Sequence, residues 1–384
     1  MTAAHLWCAE LSLADFRNHA DTTLALDSRP VCLFGQNGAG KTNLIEALTT
    51  LAPGRGLRGA ALIDMARGGE EAAHDRARPW SVSGLFHFGE EVFRIGAGAE
   101  RGPDGGVKRV SRMDGHAAQS GEIARAARMI WVTPAMDRLF SGPPGDRRRF
   151  LDRLVFARAS EHGHAAAAYE RAMRERQRLL NDNVRDDAWL AGLEKEMAAH
   201  GSAIAAARVE TVANLQAAIL ARPEGAFPKA LLALEGEIEA AFAAGGKSGD
   251  IEDQFAASLR RNRGLDASAG RALVGPQRAD LLVRHAPKDM PAAQCSTGEQ
   301  KALLLGLVLA QARALADDLG AGPALILIDE AAAHLDGARR AALFDELLAL
   351  PGQAWLTGTD AELFEAFGAR AQMFEVQDGH AKIA

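Results

Sequence analysis

The stretch Gly35-Gln36-Asn37-Gly38-Ala39-Gly40-Lys41-Thr42 decides how the rest of the chain is read. It has the spacing G-x-x-x-x-G-K-[ST] of a phosphate-binding loop. Val31 to Phe34 before it reads as a short buried strand, and Asn43 to Leu48 after it as the first turns of a helix. Strand, glycine turn and helix are the context such a loop requires. The glycines let the backbone wrap an anion in conformations that a Cβ would block. Successive N–H groups and the positive end of the helix dipole then face one point. In that arrangement Lys41 would reach the β- and γ-phosphates of a nucleotide, and the Thr42 hydroxyl would ligate Mg2+.

The chain has 384 residues, enough for two or three domains, and 48% of them are hydrophobic, an ordinary globular share. Its formal net charge of −6 excludes a protein that coats nucleic acid through its overall field. Any such contact has to come from a local basic patch. Cys8, Cys32 and Cys295 are far apart and show no metal-ligand spacing, so they read as reduced thiols. The longest apolar run, Ala302 to Ala310, is short for a membrane span, and the N-terminus lacks a basic-then-apolar signal pattern. The expectation is a cytoplasmic protein without a membrane partner.

Leu6 to Leu13 and Thr22 to Leu26 suit two antiparallel strands, joined at Asp15-Phe16-Arg17-Asn18. Arg17 and Asn18 can flank a nucleotide or stand as solvated turn residues, and the residues alone leave both open. Pro53 to Gly59 reads as a flexible basic loop. Trp80 to Phe88, Glu91 to Ala97 and Val107 to Met113 read as strands, with a loop from Gly98 to Gly106. Near Pro134 the composition shifts. From Asp146 to about Ala221 the chain is rich in Ala, Arg, Glu and Leu and has helical periodicity. Arg147, Arg148 and Arg149 are candidates for DNA-backbone contacts, as are the arginines from Arg171 to Arg178. A solvated face interleaved with acids is the competing reading.

Ala324-Leu325-Ile326-Leu327-Ile328-Asp329-Glu330 is an apolar run ending in two acids. It suits a parallel strand buried on both faces. Asp329 would then hold the metal shell, and Glu330 would act as general base on the attacking water. Upstream, Cys295-Ser296-Thr297-Gly298-Glu299-Gln300 is a turn that enters a long helix. Its N-terminus is either a second anion site or an ordinary cap in which Ser296 or Thr297 satisfies backbone donors.

The order of loop, helical segment, S-x-G-x-Q turn and Asp-Glu strand resembles the ABC-type ATPase head. Leu11, Phe16, Arg17 and Asn18 ahead of the loop narrow it, as do Gly142-Pro143 with Arg147-Arg148 and Phe150-Leu151-Asp152, and Gly275 to Leu281. Together they resemble the RecF family, related to SMC heads, over nearly the whole chain. The resemblance implies an α/β fold: an ABC-type P-loop ATPase head, a mixed sheet with helices, plus an α-helical second lobe. The expected division is 1–134 and 271–384 for the ATPase lobe and 135–270 for the helical lobe. It also implies a weak, DNA-linked ATPase that dimerises on ATP. Such a protein binds double-stranded DNA or single/double-strand junctions and helps load RecA with RecO and RecR at gaps or stalled forks. That activity belongs to homologous recombination, DNA repair and replication, and the SOS response.

On matching positions, the loop from Gly35 to Thr42 with Arg17 would hold ATP, and Thr42 and Asp329 the Mg2+. Glu330, Lys41 and Ser296 would be catalytic. Ser296 and Gly298 would meet the γ-phosphate carried by a second subunit, and Leu335-Asp336 would form a dimer-contact loop. Three departures stand out. Glu299 brings a charge into the signature turn, Ala279 replaces an acid, and no histidine occurs in Trp355 to Thr359. His334 beside the acids reads as a loop residue. A transporter ATPase subunit and an SMC-like structural head are the other classes. The arginine-bearing helices and the missing histidine argue against the first, and the short insertion without sustained heptads argues against the second.

Overall fold

Strand β3 (Val31–Phe34) lies in the middle of a six-stranded sheet and delivers the chain to the glycine loop. The structure is a computed structural model, and it describes residues 4–54, 56–68, 79–101, 106–184, 186–318, 322–330 and 335–384. Arg55 of the expected basic loop, residues 102–105 of the expected loop near Gly106, and His334 lie outside the described residues. The chain forms two compact units. The first comprises Met1–Asp137, Glu224–Phe227 and Leu304–Ala384, and the second Arg138–Pro223 and Pro228–Leu303.

In the first unit the sheet around β3 has the order β15-β14-β3-β13-β12-β8. Its other strands are β8 (Arg128–Val132), β12 (Ala324–Ile328), β13 (Ala354–Gly358), β14 (Gln372–Gln377) and β15 (His380–Ile383). All pairs are parallel except β14 with β15. Every residue of β12 and β13 is buried. This is why the Ala324 to Ile328 run is aliphatic throughout instead of alternating. A second, antiparallel sheet has the order β2-β1-β4-β5-β6-β7. It contains β1 (Leu6–Phe16), β2 (His19–Ala25), β4 (Trp80–Phe88), β5 (Glu91–Arg101), β6 (Val107–Met113) and β7 (His116–Ala117). The expected strands are found, and β5 runs on through Gly98, where a loop was expected.

Helix α1 (Lys41–Thr50) starts directly from the loop. Leu44, Ile45 and Leu48 are fully buried and join one hydrophobic cluster with Leu11 and Leu13 of β1, Phe86 of β4 and Trp355 of β13. Each such aliphatic side chain contributes roughly 1.5–3 kcal/mol by leaving water. The helix ends at Thr50 ahead of Pro53. There Arg109 of β6 donates to the carbonyls of Thr50, Ala52 (2.8 Å) and Gly54. A cation at a helix C-terminus meets both the orphan carbonyls and the negative end of the dipole. A short helix α2 (Ser120–Ala126) precedes β8.

The second unit holds α3 (Pro144–Arg158), α4 (His162–Asn181), α5 (Asp187–Ala221), α6 (Glu237–Ala243), α7 (Ser248–Arg261) and α8 (Arg263–Ala269). It is not purely helical. A three-stranded antiparallel sheet of order β11-β10-β9 joins β9 (Ala230–Glu235), β10 (Asp280–His285) and β11 (Met290–Pro291). Residues 271–303 therefore pack with this unit, not with the ATPase lobe to which they were assigned. The sequence Ala-Leu-Leu-Ala-Leu-Glu of β9 is made of helix formers, and pairing with β10 overrides that propensity. By length and composition α5 is apolar enough to cross a membrane, although no uninterrupted apolar run in the sequence has that length. Its buried Glu194 and Arg208 are both ion-paired within the unit. Helix α9 (Thr297–Asp317) follows the signature turn, and the second unit ends inside it at Leu303. Helix α10 (Gly337–Leu348) lies between β12 and β13 in the chain.

Candidate phosphate-binding site

The loop has the backbone its glycines were expected to provide. Gly35, Gly38 and Gly40 have φ of 146°, 86° and 115°. A Cβ on Gly35 would lie 2.2 Å from the Val376 carbonyl oxygen, so sterics and conformation both demand glycine there. Gln36, Asn37, Gly38 and Ala39 line a polar cavity of about 680 Å3 together with Asp360 and Asp378. Lys41 is 3% exposed, and its Nζ donates to the carbonyls of Gly35 (2.6 Å) and Gln36 (2.9 Å). Burial pulls its pKa below the ordinary value, against the opposing pull of Glu330, Asp329 and Asp360. The ammonium is thus folded back onto carbonyls of the loop itself.

Asp329, at the carboxyl end of β12, is 4% exposed. Its Oδ1 accepts from the Thr42 hydroxyl (2.9 Å) and the Thr357 hydroxyl (2.8 Å). The fold therefore joins the two expected metal ligands, which are 287 residues apart. Glu330 follows in the left-handed region, with φ of 53°. A non-glycine residue pays for that conformation, and such strain gathers at functional positions. The Glu330 N–H donates to Thr357 Oγ1 (2.9 Å). Thr357 thus holds the Asp329 carboxylate and the Glu330 backbone, a role the sequence reading missed. The available signal was a lone hydroxyl inside the buried Ala354 to Gly358 strand. One hydroxyl and one carboxylate fit Mg2+, which keeps several waters and takes its remaining oxygens from substrate phosphates. Among the described residues no cluster of three or more His, Cys, Asp or Glu could hold a metal by itself.

Arg17 does not face the loop. Its guanidinium makes a bidentate pair with Glu46 of α1 (2.9 and 2.8 Å), and the fully buried Glu46 also takes Arg58 (2.8 Å). The neighbouring Asn18 and His19 touch the loop, Asn18 through Nδ2 to the Ala39 carbonyl (3.1 Å) and His19 with Nε2 3.3 Å from the Gly40 carbonyl.

Ser296 and Gly298 belong to the second unit. Ser296 is exposed, and Gly298 has open space where a Cβ would point. The turn forms a capping box: the Ser296 N–H (3.0 Å) and hydroxyl (2.9 Å) donate to Glu299 Oε2, and the Glu299 N–H approaches Ser296 Oγ (3.4 Å). Lys288 pairs with the other Glu299 oxygen. Lys288 first, then the Ser296 donors, hold the Glu299 carboxyl down at about 2. The charge that had no assigned role is therefore a helix cap. Asp336 likewise caps α10 by accepting from the Arg339 N–H (2.8 Å) while its side chain stays exposed, and Leu335 is buried.

The three arginines of α3 do not form one patch. Arg147 is bidentate with Asp280 (2.8 and 2.7 Å) and donates to the Gly142 carbonyl (2.7 Å). Arg148 donates to the Ala279 carbonyl (2.8 Å). Only Arg149 is well exposed, its side chain 76% open and paired with Asp146. The sequence puts them side by side, but a helix turns each by about 100°. The exposed Arg171, Arg174 and Arg178 of α4 pair with Glu196, Glu170 and Glu175.

Comparison with known proteins agrees with this architecture. The model of the RecF/RecN/SMC N terminal domain matches residues 8–382. A relative from Rhizobium etli (strain CIAT 652), named DNA replication and repair protein RecF, is 49% identical over 373 residues, 97% of each chain. One of the same name from Brucella suis biovar 1 (strain 1330) is 49% identical over 96% of this chain and 94% of its own. A solved structure of the recombination mediator protein RecF with ATPrS in the RecFOR pathway superposes with a TM-score of 0.81 at 20% identity, covering 99% of this chain and 98% of that one. An Smc head domain from Pyrococcus furiosus gives 0.53 at 17% identity, over 99% and 96%. The fold is that of the ABC-type ATPase heads, and the chain belongs to the RecF family.

Proposed function

We propose that this chain is an ATP-dependent, DNA-binding recombination and repair mediator whose two copies close on ATP. The observation that carries the reading is the Thr42–Asp329–Thr357 cluster set beside a glycine loop with Lys41 folded across it. Lys41 is placed to exchange its two loop carbonyls for phosphate oxygens. Thr42 and Asp329 would hold Mg2+, which when bound neutralises charge on the transferring phosphate. Glu330, fixed through its own N–H, would take a proton from the attacking water. Ser296 and Gly298 of a second copy would complete the γ-phosphate cradle, once Ser296 has released Glu299. Hydrolysis would be slow and would part the copies. DNA at gaps or stalled forks, RecA, RecO and RecR are the partners expected from the family, and Arg149 remains the α3 arginine open to a DNA phosphate.

The test is mass in solution. Glu330→Gln should give a stable dimer with ATP, measured by light scattering. Ser296→Arg should bind ATP with near-normal affinity and stay monomeric. A Ser296→Arg dimer as tight as that of the unmodified protein would defeat the shared-cradle reading.

A further inference from the structure

The carbonyls of Ala39 and Gly40 in the phosphate loop are held from behind by Asn18, His19 and Gly379. A trans peptide points its C=O and its N–H in opposite directions. The Ala39 carbonyl shares its peptide with the Gly40 N–H, and the Gly40 carbonyl shares its peptide with the Lys41 N–H. Drawing those carbonyls backward therefore turns the two N–H groups forward.

Both carbonyls are drawn back. Ala39 O accepts from Asn18 Nδ2 (3.1 Å) and from the Gly379 N–H (3.0 Å). Gly40 O lies 3.3 Å from His19 Nε2 and takes the Leu44 N–H of α1 (3.1 Å). The brace is itself fixed. Asn43 Nδ2 donates to Asn18 Oδ1 (2.7 Å), and Thr22 Oγ1 lies 3.1 Å from His19 Nδ1 and 3.1 Å from the Gly379 carbonyl oxygen. It leaves no slack. A Cβ on Gly40 would come within 2.7 Å of the Asn18 amide and 3.0 Å of His19 Nε2, and one on Gly379 within 2.5 Å of the Asn18 carbonyl oxygen. His19 has no exposed surface, and burial lowers its pKa. A neutral ring donates at Nε2 in the tautomer that carries the proton there; Nδ1 then accepts the single Thr22 hydroxyl proton.

We infer that Asn18 and His19 are positioning residues that pre-set the phosphate cradle, aiming the Gly40 and Lys41 N–H groups at the anion by pinning the carbonyls behind them. This rests on the nucleotide reading above and adds a role for the turn between β1 and β2. A preorganised donor needs no reorientation when the ligand arrives, so removing the brace should show in nucleotide affinity more than in turnover.

The experiment is calorimetric binding of Mg–ATP and Mg–ADP, with steady-state hydrolysis, on His19→Leu, His19→Gln, Asn18→Ala and Lys41→Ala. His19→Leu and Asn18→Ala should each weaken both nucleotides about tenfold, with KM rising by more than kcat falls. His19→Gln, whose amide can donate where Nε2 does, should recover most of the loss at an unchanged melting temperature. Should His19→Leu not fold, the half-exposed Asn18→Ala carries the test. Unchanged affinity in Asn18→Ala and in every folded His19 variant, while Lys41→Ala loses binding, overturns the brace alone. A His19→Gln as weak as His19→Leu overturns it too, by making His19 ordinary packing. Normal binding by Lys41→Ala would instead overturn the nucleotide reading, and the brace with it.

Discussion

Single residues divide into those whose role follows from type and spacing and those whose role follows from what they touch. Lys41, Thr42 and Asp329 are of the first kind, since a phosphate loop and an acid after a buried strand need few other facts. Thr357 is of the second kind. Its hydroxyl serves Asp329 and the Glu330 N–H together. Thr357→Val keeps the shape and removes both bonds, so ATP hydrolysis should fall on the order of tenfold, with ATP affinity changed far less. Single-turnover hydrolysis beside equilibrium binding checks this, and an equal loss in both would place Thr357 in binding instead. Arg147 and Arg149 make a matched pair of the same type. Arg147→Ala leaves Asp280, 12% exposed, without its partner. The cost should be on the order of 3 kcal/mol, read as a lower denaturation midpoint, with the salt slope of DNA binding unaltered. Arg149→Ala should leave stability alone and flatten that slope by about one. A reversed pattern would reassign both.

Elements are decided by their ends. Helix α1 begins at a glycine in the left-handed region, and Arg109 closes its other end. Helix α9 begins with the Ser296–Glu299 box, a signature of type S-x-x-E legible in the sequence, where a cap by Ser296 or Thr297 stood beside the anion reading. Its pH dependence has a definite sign. The Glu299 carboxyl is held at about 2, against an ordinary 4.5. Its contribution is therefore complete above about pH 4.5 and disappears as pH falls toward 2. The melting-temperature gap between the unmodified protein and Glu299→Gln should be full at pH 6 and shrink through that window. A gap that stays constant with pH would remove the carboxylate from the cap. Strand β9 carries the opposite lesson. Its residues favour helix, and β10, which lies beyond α6, α7 and α8 in the chain, makes it a strand.

The whole molecule separates its two phosphate-seeking elements between units. The glycine loop and the Asp-Glu strand are in the first, and the Ser296 turn is in the second. On the proposed reading, association driven by ATP carries a mark in stability, because a ligand that bridges copies makes melting depend on protein concentration. With ATP–Mg, the melting temperature of Glu330→Gln should rise with protein concentration. In the double variant Ser296→Arg, Glu330→Gln it should not. Concentration dependence in both would point to a contact that does not use the signature turn. On the proposed reading, the net charge of −6 confines DNA contacts to local patches, and the pairing of the α4 arginines with acids narrows them further.

The sequence by itself determined the phosphate loop, the buried parallel strand with its two acids, and most strands of the first unit. Each is a local pattern set by backbone conformation or by burial on both faces. Only the tertiary structure decided that Arg17 turns to Glu46, that Arg147 locks to Asp280, that residues 271–303 join the second unit, and that Thr357 and the Asn18–His19 turn stand behind the site. Those outcomes depend on groups brought together across tens to hundreds of residues. Where a side chain can choose among several partners, spacing along the chain does not choose, and the nearest buried charge or free carbonyl in the folded chain does.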